Sequence, residues 1–270
     1  MVHTHLIVGA GRMGGALVKG WTRGRRPVVH PEALAILDPK PGSDAQAAIE
    51  AGATHFTSIT SEMEGLDHLI LGVKPQMFDK VVTSFAQYIP ETCLVTSIMA
   101  GVSLARIGAA FPNRPLVRAM PTTPAAIGAG MTAFTASSEV SKSQKKAVRK
   151  LLAASGKVEE VSSEQMIDVV TSVSGSGPAY VFYMVEALQA AALDVGMSAE
   201  LAPIFARETI IGAAALLKGS DVAAADLRVA VTSPGGTTQA ALDVLMGEEG
   251  MAPLMKAAVR AALKRAKELS

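Results

Sequence analysis

A glycine-rich turn near the N-terminus constrains the fold of this chain more than any other feature. Residues 5–10 read HLIVGA, an apolar run that predicts a short buried strand, and residues 12–21 then place apolar side chains at helical spacing. Between the two lies a G-x-G-x-x-G pattern made of Gly9, Ala10, Gly11, Arg12, Met13 and Gly14. A strand, this pattern and a helix together predict a loop that binds the diphosphate of a dinucleotide, and a purely structural glycine turn is the alternative.

The three glycines have separate roles in that prediction. Gly9 permits a tight turn, Gly11 lets a diphosphate approach the backbone, and Gly14 lets the helix pack closely on the strand. Arg12 is a further candidate for a phosphate contact, with a solvated residue at the helix start as the alternative.

An acidic residue stands where the ribose of a dinucleotide is recognised. Residues 33–37 predict a second strand, and Asp38 follows it, 24 residues beyond Gly14. An acid at this place accepts a hydrogen bond from a free ribose 2′-hydroxyl and favours NAD(H). Lys40 lies two residues further on and offers a cation to the 2′-phosphate of NADP(H). The residues therefore leave both cofactors open.

Alternating apolar and helical segments predict an α/β domain over residues 1–163. Further strands are predicted at 55–56, 69–73, 94–98, 116–118, 129–135 and 157–161, with helices at 44–51, 77–88, 104–111 and 141–154. This alternation predicts a parallel sheet covered by helices on both faces, as in a Rossmann-type domain. The turns after the fourth, fifth and sixth strands then meet at the ligand-binding edge. They supply Val73, Lys74, Pro75, Ala100, Met120 and Pro121 as candidate cofactor-binding residues; a solvated lysine and ordinary proline turns are the alternatives.

The remaining chain, residues 164–270, predicts an all-α domain. Helices are predicted at 164–174, 178–195, 199–218, 222–231, 238–246 and 250–268. The stretch Thr209–Leu217 carries no charge and predicts a helix that is buried on every side. A domain of about 105 residues rarely covers such a helix by itself, so we expect this half to pair with a second copy of the chain.

Composition and charge exclude several other classes of protein. The formal net charge of +1 disfavours nucleic acid and anionic membranes as partners, and no apolar run reaches the length of a membrane span. Cys93 is the single cysteine, which excludes an internal disulfide and suits a reducing compartment, so a cytoplasmic protein is expected. No histidine follows His68, so a site in the later chain has no imidazole, and no metal site is expected.

Two polar loops interrupt the helical half. Residues 233–238 read SPGGTT, where the glycines allow backbone N–H groups to converge at the start of a helix near Thr238. This predicts a cradle for a carboxylate or phosphate, with an elaborate helix cap as the alternative. Residues 174–180 read SGSGPAY, where Pro178 suits the first turn of a helix and Ser176 is the expected cap.

Six segments, in order along the chain, resemble the pyrroline-5-carboxylate reductases: GAGRMG, GVKPQ, SIMAGVSL, RAMPTTPA, VSGSGPAYVF and VTSPGGTTQAAL. The resemblance covers essentially the whole chain and implies a Rossmann domain followed by a dimerising helical domain, with dimers assembling further in some members. It implies reduction of 1-pyrroline-5-carboxylate to L-proline with hydride from NAD(P)H, which is the last step of proline biosynthesis.

The resemblance also implies roles for individual residues. The backbone groups of Gly235, Gly236 and Thr237 would hold the substrate carboxylate, with Ser233 nearby, and Thr238 would hydrogen-bond the ring nitrogen. Ser176 would line the opposing wall, and Ala100, Met120 and Pro121 would line the nicotinamide pocket. One position departs from the family, because Thr122 stands where its members usually have asparagine.

The chemistry of a cyclic imine suits a site without an imidazole. Reduction of a ketone creates an alkoxide and calls for an acid, whereas an imine nitrogen can arrive already protonated from solvent. A β-hydroxyacid dehydrogenase is the nearest rival, but that resemblance requires a lysine where this chain has Val181. A dinucleotide sensor or scaffold without turnover is the rival from another class, and it has no use for a second anion cradle.

Overall fold

The computed structural model of this protein describes residues 3–269 and contains one eight-stranded sheet with helices on both faces. The strands are β1 His5–Val8, β2 Leu34–Leu37, β3 Thr54–Phe56, β4 His68–Leu71, β5 Leu94–Ser97, β6 Leu116–Met120, β7 Gly130–Ala136 and β8 Gly156–Glu160. The helices are α1 Arg12–Thr22, α2 Ser43–Glu50, α3 Phe78–Thr83, α4 Leu104–Ala110, α5 Lys142–Ala153, α6 Glu164–Val170, α7 Gly177–Asp194, α8 Ala202–Lys218, α9 Ala224–Ala230, α10 Thr237–Leu245 and α11 Met251–Leu269.

The strand order is β3-β2-β1-β4-β5-β6-β7-β8, and β1 pairs with both β2 and β4. The first six strands run parallel, as predicted, but β7 pairs antiparallel with β6. The predicted parallel sheet is therefore confirmed for the first six strands, and the sequence pattern indicated no direction for β7. The connection over residues 121–129 holds only a short 3₁₀ turn, and a parallel return needs a crossover of a dozen or more residues.

Successive strand residues feed two apolar cores, one on each face of the sheet. Ile7, Ile36 and Ile70 point to the face that also buries Leu17 and Trp21. Their neighbours along the strands point to the other face and pack with the aromatic residues of α3 and the segments around it. Because both faces are covered, these parallel strands are apolar at nearly every position.

The helix predicted over residues 77–88 is broken into three short pieces. A 3₁₀ turn at Pro75–Met77 leads into α3, and a second 3₁₀ turn follows at Ala86–Tyr88. The side chains of Thr83 and Ser84 donate to the carbonyl oxygens of Asp79 and Val81. Hydroxyl groups that bond to the preceding turn compete with the regular helical ladder, so the helix ends there.

A π-helical segment at Thr171–Gly175 joins α6 to α7. Ser176 at the start of α7 has φ −84° and ψ −21° and makes no side-chain capping bond. The prediction that Ser176 caps this helix was wrong, because a capping residue needs extended backbone and Ser176 continues a nearly helical path from the π-helical segment.

The chain forms two compact units. The first unit comprises the chain up to Gly175 together with the chain from Leu263 onward, and the second unit comprises Ser176–Ala262. The boundary between these compact units thus lies after α6, whereas the all-α domain predicted from the sequence begins at residue 164.

The second unit leaves most of its apolar side chains uncovered within one chain. In helices α7 to α11, only Ala202 and Ala206 are buried. Residues 209–217, predicted to be buried on every side, are exposed apart from Ile210. The prediction required a second copy of the chain to cover them, and the single chain does not cover them. No helix within residues 3–269 is long and apolar enough to cross a membrane.

Candidate active site

The glycine-rich turn follows β1, which pairs with β2 on one side and with β4 on the other. The order of strands along the chain reverses its direction across the sheet at this point. Gly9 has φ +90°, and a Cβ atom on it would lie 2.7 Å from the Gly72 carbonyl carbon and the Val73 nitrogen. A Cβ atom on Gly14 would overlap the carbonyl oxygen of Gly9. The turn after β1 and the turn after β4 therefore pack backbone against backbone, at the switch point where open α/β sheets bind ligands.

The space around Gly11 is open, in contrast to the close backbone contacts at Gly9 and Gly14. A Cβ atom placed on it would meet nothing within 4 Å, and as the N-terminal cap of α1 it makes no side-chain capping bond. The first-turn N–H groups of α1 have no partner inside the helix and lie beside this open space. A diphosphate fits such a place, because it accepts from these N–H groups and meets the positive end of the helix dipole. Arg12 is exposed here, and Met13 is half-buried.

Asp38 follows β2 at the same end of the sheet, and both of its carboxylate oxygens accept hydrogen bonds from the protein backbone. Its Oδ2 accepts from the Ala10 backbone N–H at 2.7 Å, and its Oδ1 accepts from the Lys40 N–H at 2.7 Å. The His55 ring Nε2 lies 2.8 Å from the Asp38 carbonyl oxygen. Asp38 therefore fastens the turn after β2 to the glycine-rich turn, a role that the sequence pattern did not predict.

The turns after β4 and β5 complete two more parts of this edge. Val73 and Pro75 are half-buried, and the Lys74 side chain is exposed just before a 3₁₀ turn. Ala100 is exposed beside Gly101, whose φ is +68°. A Cβ atom on Gly101 would lie 2.7 Å from the carbonyl oxygen of Leu269, so the end of α11 packs against the turn after β5.

The turn after β6 is held from two sides. Thr122 is 4% exposed, and its Oγ1 accepts from the Met131 N–H in β7 at 2.9 Å. A Cβ atom on Gly175 would lie 3.2 Å from Met120 Cε, so the π-helical segment packs against the last residue of β6. Met120 is half-buried and Pro121 is buried. The turn is intact with threonine at position 122.

Sequence reasoning missed a charged cluster beneath this edge, formed by Arg118, Glu164 and Asp168. Arg118 in β6 is only 2% exposed, its Nη1 lies 3.0 Å from Glu164 Oε1, and its Nη2 lies 2.8 Å from Asp168 Oδ1. Glu164 Oε1 also accepts from the Leu104 N–H at 2.7 Å. The available signals were an arginine inside the apolar run Leu116–Met120 and two acids four residues apart on α6, because arginine is almost never buried unless it is paired.

The SPGGTT loop belongs to the second unit. Gly235 has φ +69°, and Gly236 caps α10 without any side-chain capping bond, although a serine and two threonines surround it. The Gly236 N–H donates to the Ser233 carbonyl at 3.0 Å, which commits one of the three groups assigned to the carboxylate. A Cβ atom on Gly236 would lie 2.5 Å from Ser233 Oγ and 3.1 Å from the Ser233 carbonyl oxygen, so a larger residue here requires the Ser233 side chain to rotate away. Ser233, Thr237 and Thr238 are exposed within one chain.

Two parts of the chain match known sequence families. Residues 164–269 match a family described as pyrroline-5-carboxylate reductase dimerisation, and residues 5–101 match one described as NADP oxidoreductase, coenzyme F420-dependent. A pyrroline-5-carboxylate reductase from Synechocystis sp. is 45% identical over 201 residues, which is 74% of this chain and 74% of that protein. This chain belongs to the pyrroline-5-carboxylate reductase family.

Solved structures of that family cover the whole chain. A pyrroline-5-carboxylate reductase from Coxiella burnetii is 32% identical, covers 100% of this chain and 99% of its own, and superposes with a TM-score of 0.88. A pyrroline carboxylate reductase from Plasmodium falciparum with NADP bound is 26% identical and has a TM-score of 0.81. The match covers 99% of this chain and 98% of that chain. These matches confirm the predicted fold class, a Rossmann-type domain followed by an all-α dimerisation domain, and a nicotinamide dinucleotide as the class of cofactor.

Two groups with strongly shifted pKa values, His68 and Cys93, lie away from the glycine-rich turn. Burial, with a smaller contribution from His5, lowers the pKa of His68 to about 3 at the start of β4, the opposite end of the strand from Gly72. Burial also raises the pKa of the Cys93 thiol to about 12, just before β5. The uncharged imidazole and the protonated thiol thus both lie at the end of the sheet opposite to the glycine-rich turn.

Proposed function

We propose that this protein reduces 1-pyrroline-5-carboxylate to L-proline, the last step of proline biosynthesis. The observation that carries the proposal is the start of α10, where a helix lacks a side-chain cap in a loop that holds three hydroxyl residues. The orphan N–H groups of such a helix favour an anion, and the substrate is a carboxylate.

The carboxylate is held by backbone donors of the SPGGTT loop. The Gly236 N–H is committed to Ser233, so Gly235, Thr237 and Thr238 supply the donating groups and Gly236 keeps the turn in shape. The left-handed backbone of Gly235 lets neighbouring N–H groups converge, which is a nest for an anion. Ser233 and Ser176 provide further hydroxyl groups toward the substrate.

The Thr238 hydroxyl binds the ring nitrogen of the substrate. The imine nitrogen takes its proton from solvent before reduction, and the product nitrogen is an amine that needs no immediate proton donor. Thr238 therefore orients the ring. It is the catalytic residue because its hydroxyl contacts the ring nitrogen of the substrate. Orientation of two reacting carbon atoms is the main source of rate enhancement in such a site.

The edge of the first unit holds the reduced nicotinamide dinucleotide, which supplies the hydride when it is bound. The turn Gly9–Gly14 takes the diphosphate, and Val73, Lys74 and Pro75 line the groove beside it. Ala100, Met120 and Pro121 surround the nicotinamide. We favour NADP(H) over NAD(H), because the exposed Lys40 and Arg12 can approach a 2′-phosphate, whereas a 2′-hydroxyl would share Asp38 oxygens that each accept one backbone N–H.

The helical half joins two copies of the chain, and pairs of dimers can associate further. An apolar groove of about 800 Å³ runs between α7, α10 and α11, lined in part by Tyr183, Met184, Leu245 and Leu254. We place the protein in the cytoplasm, where its buried free thiol stays reduced. The near-neutral charge gives no electrostatic surface for nucleic acid, and we expect no metal in the site.

The decisive experiment is oxidation of NADPH and NADH by the purified protein with pyrroline-5-carboxylate, and with a 3-keto acid as the competing substrate. We expect turnover only with the cyclic imine and tighter binding of NADPH. Turnover with the keto acid alone would favour the β-hydroxyacid dehydrogenase class. Binding of NADPH without turnover of either compound would favour a sensor.

Thr238→Ala tests the loop within the same assay. We expect kcat to fall about 100-fold, as for loss of one positioned donor, while the dissociation constant of NADPH changes less than about twofold. Thr238→Ser keeps a hydroxyl and should recover most of the activity, and Thr237→Ala is the matched control on the neighbouring side chain. Collapse of NADPH binding in Thr238→Ala would show that the loop serves the cofactor instead.

A pair of glycine variants tests the cofactor site. Gly11→Ala adds a methyl group to open space at ordinary backbone angles, so it should leave thermal stability unchanged and weaken NADPH binding about tenfold or more by blocking the diphosphate. Gly9→Ala must clash with Gly72 and should lower both stability and binding. Unchanged NADPH affinity in Gly11→Ala would remove the diphosphate from this turn.

A further inference from the structure

The buried cluster of Arg118, Glu164 and Asp168 connects three segments of the first unit. Arg118 lies in β6, both acids lie on α6, and the Glu164 carboxylate additionally accepts from Leu104, the first residue of α4. The carboxylate oxygen Oε1 of Glu164 is thus shared by a strand and a helix start.

Each connected segment leads directly into the proposed nicotinamide pocket. Two and three residues beyond Arg118 the chain reaches Met120 and Pro121, and Ala100 lies four residues before Leu104. From Asp168, α6 continues into the π-helical segment, whose Gly175 packs against Met120. The cluster is therefore connected through the chain to all three segments that form the proposed nicotinamide pocket.

The energetics of such a cluster favour a role other than stability. Removing two carboxylates and a guanidinium from water costs more than their attraction returns unless the geometry is very good, and apolar residues of similar size often give equal or greater stability. The planar guanidinium of Arg118, in contrast, holds two different carboxylates at once, which fixes the direction of α6 relative to β6 as well as the distance between them. A π-helical segment, which is less stable than a regular helix and is frequent at functional sites, stands at the end of the same connection.

We infer that Arg118, Glu164 and Asp168 are positioning residues, which set the turn at Ala100 and the turn at Met120–Pro121 at the spacing that hydride transfer requires. This inference rests on the proposed function for the identity of the reaction. The three side chains touch neither substrate nor cofactor; they act through the backbone of β6, α4 and α6.

The test compares Glu164→Gln and Glu164→Ala with Asp79→Asn. Glutamine keeps an oxygen that accepts from Leu104 and Arg118, whereas alanine removes it. The control Asp79→Asn removes the charge from an ion pair to Arg106 on the same helix α4, where the side chains are 72% and 41% exposed. The measurements are kcat, KM for pyrroline-5-carboxylate, the primary deuterium isotope effect with 4-deuterated NADPH, and the emission spectrum and dissociation constant of bound NADPH.

We expect kcat to fall about 100-fold in Glu164→Ala and about tenfold in Glu164→Gln, because small displacements of reacting atoms have effects of this size. KM and the NADPH dissociation constant should change less than about threefold, and the isotope effect and the emission of bound NADPH should differ from wild type. Asp79→Asn should match wild type in every measurement. A lower melting temperature in both Glu164 variants with kcat, isotope effect and emission unchanged would overturn the inference and leave the cluster a purely structural one.

The emission of bound NADPH separates this inference from the proposed function. If the wild-type protein does not reduce pyrroline-5-carboxylate, the proposed function fails, but the emission spectrum still reports whether Glu164 shapes the surroundings of the nicotinamide. If the Glu164→Ala chain does not fold, Glu164→Gln and Arg118→Lys give the same comparison with smaller perturbations. Unchanged NADPH emission in both would overturn the positioning role.

Discussion

The first unit buries its apolar side chains inside one chain, whereas the second unit presents them to the outside. Trp21, Leu17 and Phe85 are each 0% exposed, but on α8 Leu216 is 66% exposed. In the sequence, the segments around these residues of the first unit look as apolar as the segment that forms α8. An apolar stretch therefore indicates that a surface becomes covered, and it does not indicate whether the same chain or another copy covers it.

The largest effect is expected where charge enters the exposed face of α8. Ile211→Asp with Leu216→Asp should weaken self-association about 100-fold or more, because each carboxylate loses its water at an interface without a partner. We expect size-exclusion chromatography with light scattering to show monomers, and turnover should be lost. Lys146→Asp on the exposed side of α5 is the control and should leave the assembly unchanged. A double variant that stays assembled and active would contradict the expectation that another copy of the chain covers the apolar side chains of the second unit.

Truncation inside the first unit should act within a single chain. Trp21→Ala removes a fully buried indole whose Nε1 donates to the Leu151 carbonyl, and should cost about 3–5 kcal/mol in the free energy of unfolding. Urea unfolding followed by circular dichroism should give the same loss at low and high protein concentration. Leu216→Ala should instead destabilise by an amount that depends on concentration, because it acts through association. A concentration-dependent loss in Trp21→Ala would contradict this contrast.

Acid should weaken the first unit selectively. Burial lowers the pKa of His68 to about 3, so the folded protein binds a proton less readily than the unfolded chain, in which the histidine has its ordinary pKa of 6.5. Stability is therefore fully present above the unfolded value and falls as the pH drops toward 3, by about 2 kcal/mol between pH 8 and pH 5.

His68→Gln provides the control for that prediction. Glutamine keeps a polar partner for the Thr96 hydroxyl, which lies 2.8 Å from His68 Nε2, but does not titrate. Its free energy of unfolding should vary much less over this range of pH. An equally steep slope in His68→Gln would show that other titrating groups cause it, such as His3 and His5, whose pKa values burial also lowers.

The smallest effect is expected at Cys93, which reports opening of the first unit. Burial raises the pKa of its thiol to about 12, so the reactive thiolate is scarce in the folded protein. A thiol reagent should label Cys93 no faster after the chain is made monomeric by the α8 variants. Rapid labelling of the monomer would show that association also protects the sheet.

The sequence predicted elements best where local patterns decide the structure. The glycine-rich turn after β1 and the helices of the second half follow from spacing and apolar runs, and the structure places them within a few residues. The direction of β7 depends on the length of a return path, and the break after α3 depends on hydroxyl groups that bond the backbone. Neither is visible as apolar periodicity.

Contacts between distant residues were beyond the sequence for a different reason. Arg118 pairs with acids 46 and 50 residues away, and Asp38 accepts from Ala10, 28 residues before it. A pattern identifies a charged residue in an apolar strand, but its partner is chosen by the packing of the whole unit. The ribose-binding role of Asp38 stays a prediction, and the structure adds two bonds from the backbone to its carboxylate that the sequence pattern did not indicate.

The contact between Gly101 and Leu269 has a consequence for how the protein is made. Residues 176–262 intervene between the body of the first unit and its last stretch, so a chain emerging from the ribosome can form the sheet long before α11 is finished. The turn beside Ala100 gains the neighbour Leu269 only after residues 176–262 have been made. A chain that ends before Leu263 would thus contain all eight strands of the sheet and lack this contact beside the proposed nicotinamide pocket.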